Sequence, residues 1–261
     1  MSGRLADYIA GPGASIIALV GAGGKTSLAY ALARDLTNDG EFVAFTKTTN
    51  VTANTFRRDA HLIVEPNAEC MRRELSRVRQ TQRRLVGLST GYIRADLLRG
   101  LNPGEVTRLV SGGAVDRAIV EADGARRRRI KAPSEREPSL PEGTDVLVAV
   151  VSADAVGMPL NEGTAHRPEL VSEIAGVELG ATIGPTHVAR LLTSRAGGLK
   201  CRPAGARFVC ALTWVKDENR AVAQEAMRLV RATGVADAGL LLSQGSDGYV
   251  YVNEGWGADG D

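Results

Sequence analysis

The sequence predicts an α/β fold of the P-loop type: three layers, with a mostly parallel sheet flanked by helices. Three observations predict it. Short apolar runs alternate with stretches of helical periodicity along the whole chain, as right-handed β-α-β units do. Aromatic residues are only 4% of the 261 residues against 44% hydrophobic, so Val, Leu, Ile and Ala must form the core. That composition suits a buried parallel sheet better than an aromatic-rich sandwich. Finally, the first apolar run breaks at a glycine-rich turn, GAGGKTS at 21–27, that leads into a helix.

Taken in order, SIIALV (15–20) reads as a buried strand that stops at those glycines. The helix after it carries Leu28, Ala31, Leu32 and Leu36 on one face, with Gly40 as its stop. EFVAFT (41–46), HLIVE (61–65) and RRLVGLS (83–89) are the next strands, and 68–84 between the last two reads as a basic helix. A helix at 102–113 has Pro103 at or near its first position. DRAIVEADG (116–124) is a strand running into acidic residues, followed by a basic loop and the apolar strand DVLVAVVS (145–152). Two short helical patterns, RPELVSEIAG and GPTHVARLLTS, precede the strand ARFVCALTWV (206–215). A helix over 218–234 and a final buried strand, AGLLLSQG (238–245), complete the expectation. One domain over 1–261 is expected, with about 125–205 a candidate inserted or capping region.

The net charge is +2, too small for a global field that draws nucleic acid or an anionic membrane. Cys70, Cys201 and Cys210 form no CxxC pair and are too few for a disulfide framework. No apolar stretch reaches the ~20 residues of a membrane helix, and the N-terminal segment breaks at GPG, unlike a signal peptide. The cytoplasm is the expected location, with no membrane or nucleic-acid partner. His61, His166 and His187 are isolated and imply no zinc site.

Phosphate binding needs convergent donors and positive charge, and a glycine turn entering a helix supplies both. Gly21, Ala22, Gly23 and Gly24 form the turn; Lys25 can reach a β/γ-phosphate, and the hydroxyl of Thr26 or Ser27 can ligate Mg²⁺. The run is G-x-x-G-K-T, two residues shorter than the common phosphate-loop signature, so Leu19 belongs to the strand. In AIVEADGA (118–125), Glu121 and Asp123 alternate and so point the same way from an extended strand. One could hold Mg²⁺ and the other orient it or polarise an attacking water. In TKTTNV (46–51) the lysine and the hydroxyls of Thr48 and Thr49 are candidates for a switch segment at the γ-phosphate. Arg126, at the head of RRRRIK (126–131), stands where an anionic substrate or a partner's acidic surface would come.

With these blocks in place, the sequence resembles the YqeC-type family of selenium-dependent molybdenum-hydroxylase accessory proteins. VGAGGKTS (20–27), TKTTN (46–50), VEADGARRRRIKAP (120–133), EREP (135–138), Asp154 with AVG (155–157) and HRPEL (166–170) occur in the family's order. The resemblance spans about residues 14–215. It implies a nucleotide-binding protein connected with maturing a molybdenum enzyme, with phosphates at Gly21, Gly23, Gly24, Lys25 and Thr26 and Mg²⁺ near Glu121 and Asp123. It also singles out Lys131, Glu137, His166 and Arg167. Family members often carry N-K-x-D after a late strand, the pattern that reads guanine. Here ALTWVKDENR keeps only Lys216 and Asp217 as candidate base-reading residues, which leaves ATP and GTP both open.

The leading expectation is therefore a Mg²⁺-dependent NTPase, with Lys25, Glu121 and Asp123 as catalytic residues. It would serve a molybdenum hydroxylase or the proteins that mature its cofactor. Two alternatives stand beside it: an NTP-dependent kinase or transferase acting on a small anionic substrate, and a non-catalytic module that nucleotide orders for a partner.

Overall fold

The computed structural model describes residues 4–11, 13–56, 60–245 and 250–257. Along the chain run α1 (Leu5–Ile9), β1 (Ile16–Gly21), α2 (Lys25–Asn38), β2 (Val43–Lys47), β3 (Val51–Thr52), β4 (His61–Val64) and α3 (Ala68–Arg79). Then come β5 (Leu85–Ser89), β6 (Gly91–Arg94), β7 (Leu97–Arg99), α4 (Pro103–Ser111), β8 (Arg117–Glu121), β9 (Ile130–Lys131), β10 (Val146–Ser152) and β11 (Ala165–His166). The chain continues through α5 (Pro168–Ala175), α6 (Pro185–Thr193), β12 (Arg207–Thr213), α7 (Arg220–Ala232), β13 (Ala238–Gln244) and β14 (Val250–Trp256).

Nine strands form one sheet in the order β14-β13-β12-β10-β1-β8-β2-β5-β4. All neighbours are parallel except β13 and β14. The two faces of β1 show why apolar runs rather than alternating ones build this sheet, because each face is covered. Ile17 and Leu19 pack with Leu28, Leu32 and Leu36 of α2. Ala18 and Val20 turn the other way, into the layer that holds Val171, Val188, Leu192, Met227 and Val230 of α5, α6 and α7. Over the other half of that face, Met71 and Leu75 of α3 and Val106 and Leu109 of α4 cover Phe42, Ala44 and Val86. Each such Leu buried in full contributes up to about 1.5–3 kcal/mol.

Helix ends follow local chemistry. Asn67 caps α3 by accepting from Glu69 N and Cys70 N. Asn102 and Glu105 form a reciprocal capping box around Pro103 at the start of α4. The helix expected over 68–84 ends at Arg79, since Gln80–Arg84 turns back towards β5. Its arginines find local partners: Arg79 pairs with Asp116, and Arg77 with Glu74.

The chain does not end its sheet at β13: the edge strand β14 pairs with it antiparallel. Its burial alternates over Val250–Asn253, because an edge strand is covered on one face only. Two small sheets lie outside the main one, β3-β7-β6 and β11-β9. Within 125–205, β10 is a central strand between β1 and β12, whereas α5 and α6 belong to a flanking layer. Among the described residues no helix is long and apolar enough to cross a membrane.

Candidate functional site

Strand β8 lies on one side of β1, and the next long strand, β10, lies on the other. Open α/β sheets bind ligands in the crevice beyond the carboxyl ends of strands at such a reversal. Here β1 runs out at Gly21, level with Val150 of β10, while Leu19 stands level with Glu121 of β8.

The turn that follows is held close to its neighbours. Gly21, Gly23 and Gly24 have φ of +94°, +82° and +131°. A Cβ on Gly21 would meet Val150 O at 2.2 Å, and one on Gly23 would meet Ser152 Cβ at 2.5 Å and Arg129 O at 2.7 Å. Glycine is required at both on two counts, dihedral and space. Ala22 N donates to Val150 O at 2.8 Å, and Thr213 Oγ1 donates to Gly23 O, so β10 and β12 clamp the turn. Helix α2 then starts at Lys25 with no side chain capping its N-terminus. The amides of its first turn are open to an anion.

Two charge clusters meet at this turn. In the first, Lys25, only 5% exposed, donates to Gly21 O and lies 2.8 Å from Asp123 Oδ1. Asp123 Oδ2 accepts from Gly21 N at 2.9 Å and lies 3.0 Å from Lys131 Nζ. Lys131 also reaches Glu137 Oε2 at 2.9 Å and Gly124 O at 2.7 Å, and Arg167 Nη1 closes on the same Glu137 oxygen at 2.7 Å. Burial would raise the Glu137 carboxyl, but Lys131 and then Arg167 overcome it and hold it at about 2. In the second cluster, Thr26 Oγ1 donates to Glu121 Oε1 at 2.5 Å while Lys47 Nζ sits 2.8 Å from Glu121 Oε2. Although Lys25 Nζ is near, buried Asp123 Oδ1 has no partner in hydrogen-bonding geometry.

Lys25 and Asp123 of the first cluster and Thr26, Lys47 and Glu121 of the second line an open cleft of about 680 Å³, walled by the 23–27 turn, the 49–52 segment, Glu121, the 123–129 stretch, and Ser152, Asp154 and Trp214. The sequence profile described as "YqeC protein" matches residues 17–169, more than half of the chain. The chain belongs to the YqeC family. "Uncharacterized protein YqeC" of Escherichia coli (strain K12) is 28% identical over 216 residues, covering 80% of each chain. The stretch matched to the YqeC family contains both charge clusters and every cleft residue named above except Trp214.

Of the residues singled out by sequence, Gly23, Gly24, Lys25, Thr26, Ser27, Thr49, Glu121, Asp123 and Arg126 line the cleft. Gly21 and Ala22 join the turn to β1 beneath them. Thr48 lies behind the wall: its N donates to Glu121 O, and its buried hydroxyl has no partner. Lys131 stands behind Asp123, and pairing of β9 with β11 sets His166 level with Lys131. Burial first, and then the charges of Arg167, Lys131 and Arg126, hold His166 down at about 4, so it is neutral at pH 7. Lys216 reaches the site through Asp154, at 3.1 Å. Asp217 does not: its side chain is 98% exposed and pairs with Arg220.

The sequence marks Asp154 only as part of a family block, not as a wall residue, and does not mark Trp214 as a wall residue or Thr213 as the clamp on the turn. Trp214 has φ +60°, a conformation that nothing in ALTWV announces. None of the three cysteines lines the cleft. Thr26, Glu121 and Asp123 together offer a hydroxyl and two carboxylates, hard oxygen donors that suit Mg²⁺. Among the described residues there is no group of three or more His, Cys, Asp or Glu placed to hold a metal. Any Mg²⁺ here would complete its shell with water and ligand oxygens, as it commonly does.

Proposed function

We propose that this chain binds Mg-ATP or Mg-GTP with its phosphates on the 21–27 turn and hydrolyses it. The setting we propose is maturation of a selenium-dependent molybdenum hydroxylase or its cofactor. The observation that carries the nucleotide reading is one convergence. The uncapped N-terminus of α2, Lys25, the Thr26–Glu121 pair and Asp123 all line one cleft at the carboxyl edge of the sheet. The setting comes from the family resemblance, which most of the chain shares.

In this proposal the triphosphate takes the place of Gly21 O as the acceptor of Lys25, and first-turn amides of α2 receive the β-phosphate. Thr26, Glu121 and Asp123 would hold Mg²⁺; the Asp123 carboxylate and the Thr26–Glu121 hydroxyl–carboxylate pair are hard oxygen donors that fit it. The ion supplies charge neutralisation on the phosphate oxygens. Release of Lys25 leaves Asp123 with Lys131, so the carboxylate keeps a counter-charge while it turns to the metal. Lys25 stabilises charge on the transferring group, where electrostatics does most of the work. Next to Thr213, which holds the turn, the Trp214 indole offers a surface for the base, and Asp154 rather than Asp217 is the carboxylate at hand.

Phosphate release tests this directly. Wild type with Mg-ATP and Mg-GTP should release phosphate at least about 100-fold faster than Lys25→Ala. Tight binding without turnover would replace hydrolysis with the non-catalytic module. Turnover only on adding an anionic acceptor would replace it with the transferase.

A further inference from the structure

The loop after Gly124 carries four consecutive arginines, Arg126–Arg129, and all four line the cleft. Among the described residues, none of their guanidinium groups has a hydrogen bond or ion pair. The other cations of the cleft are matched: Lys25 faces Asp123, and Lys47 faces Glu121. The third carboxylate of the cleft, Asp154, is held by Lys216 and Asn219. No cleft carboxylate remains to offset the arginines.

The loop is fixed, not slack. Lys131 Nζ holds Gly124 O, Arg128 N donates to Ala125 O at 2.9 Å, and Arg129 N donates to Thr164 O at 3.0 Å. Ser152 N donates to Arg129 O, which abuts Gly23. Arg126 and Arg127 both hold positive φ, +46° and +58°. A bulky side chain is rare there, and glycine or asparagine would sit with less strain. Strain kept under a functional group is common at ligand clamps.

A nucleotide alone does not account for four more cations, since the turn amides, Lys25 and a metal already serve its phosphates. We propose that the Arg126–Arg129 loop binds a second, phosphate-bearing small molecule that shares the cleft with the nucleotide. This rests on the nucleotide reading only in that the turn is taken by the triphosphate. Guanidinium forks suit phosphate oxygens in pairs, and four of them on a rigid loop cover one di-anionic or tri-anionic group.

The test uses the full chain with Mg²⁺ and saturating β,γ-imido-ATP, titrated calorimetrically with inorganic pyrophosphate. One pyrophosphate per chain is expected. Arg127→Gly/Arg128→Ser should weaken it at least about tenfold. Imido-ATP affinity should stay within about threefold, and the melting temperature within about 3 °C, because glycine relieves the positive φ. In Lys25→Ala without nucleotide, pyrophosphate binding that still depends on Arg127 and Arg128 supports the loop site even if the nucleotide reading fails. No pyrophosphate binding to wild type, or equal binding in the arginine variant, overturns the proposal. An equal loss of imido-ATP affinity does so too, by assigning the arginines to the triphosphate. Displacement of pyrophosphate by an equimolar single-stranded oligonucleotide overturns it in favour of nucleic acid.

Discussion

Replacing Lys131 by Met removes one ammonium and keeps the length and most of the apolar stem. The Lys131 side chain is 0% exposed, with Asp123 Oδ2 at 3.0 Å and Glu137 Oε2 at 2.9 Å. Removing one partner of a buried pair costs about 3–5 kcal/mol, because the remaining charge stays buried. Here each carboxylate keeps a second cation, Lys25 on one side and Arg167 on the other, which argues for the lower end. A loss of about 3 kcal/mol should lower the melting temperature by roughly 6–12 °C for a domain of this size. Urea unfolding of Lys131→Met, Glu137→Gln and the double variant measures the coupling. The double variant should recover at least about 1 kcal/mol relative to additivity, since the neutral amide that Glu137→Gln introduces no longer needs a counter-charge. A drop below about 2 °C for Lys131→Met, or a cycle additive within about 0.5 kcal/mol, would refute the linked chain from Lys25 to Arg167.

Three further outcomes are expected. Gly23→Ala should lose about 3 kcal/mol or more, from its positive φ and a Cβ at 2.5 Å from Ser152. Gly124→Ala, where a Cβ meets nothing within 4 Å, should stay within about 0.5 kcal/mol by urea melts; similar losses at both positions would count against the packed turn. Acid should destabilise the fold in two steps. Folding lowers both groups, so the unfolded chain binds the extra proton and stability falls as pH falls, from 6.5 to about 4 for His166 and from 4.5 to about 2 for Glu137. Solvent screening at these half-buried groups limits each to about 1–2 kcal/mol. A urea midpoint unchanged between pH 7 and 4.5 would contradict the His166 step, and His166→Asn should remove it. Trp214→Ala should weaken nucleotide binding about tenfold or more, the worth of one stacked base, while leaving its Mg²⁺ dependence intact. Unchanged affinity by calorimetry would place the base elsewhere.

The central strands were legible in the sequence because β1, β8, β10, β12 and β13 are buried on both faces and read as continuous apolar runs. The glycine turn was legible for a related reason: tight backbone approach demands glycine, and glycine is visible in a sequence. Strand β14 was not, since Asn253, Glu254 and Gly255 separate Val250–Val252 from Trp256 and leave no continuous apolar run. The wall residues Asp154 and Trp214 come to the cleft only through the order β10-β12 beside β1, which no local pattern encodes. Asp217, a candidate for base reading from its place after a late strand, stands away from the cleft: in the 3-10 turn at Asp217–Asn219 its carboxylate pairs with Arg220. Lys131 was marked by family order alone, and only its burial between two carboxylates explains why an ammonium is kept there.

In the proposed function a nucleoside triphosphate sits on the 21–27 turn. Calorimetric titration of Mg-ATP and Mg-GTP into wild type and Lys25→Ala, with and without Mg²⁺, tests it most directly. One site per chain is predicted in wild type, weakened at least about 100-fold by Lys25→Ala and strongly dependent on the metal. Equal affinity in the two proteins would contradict it.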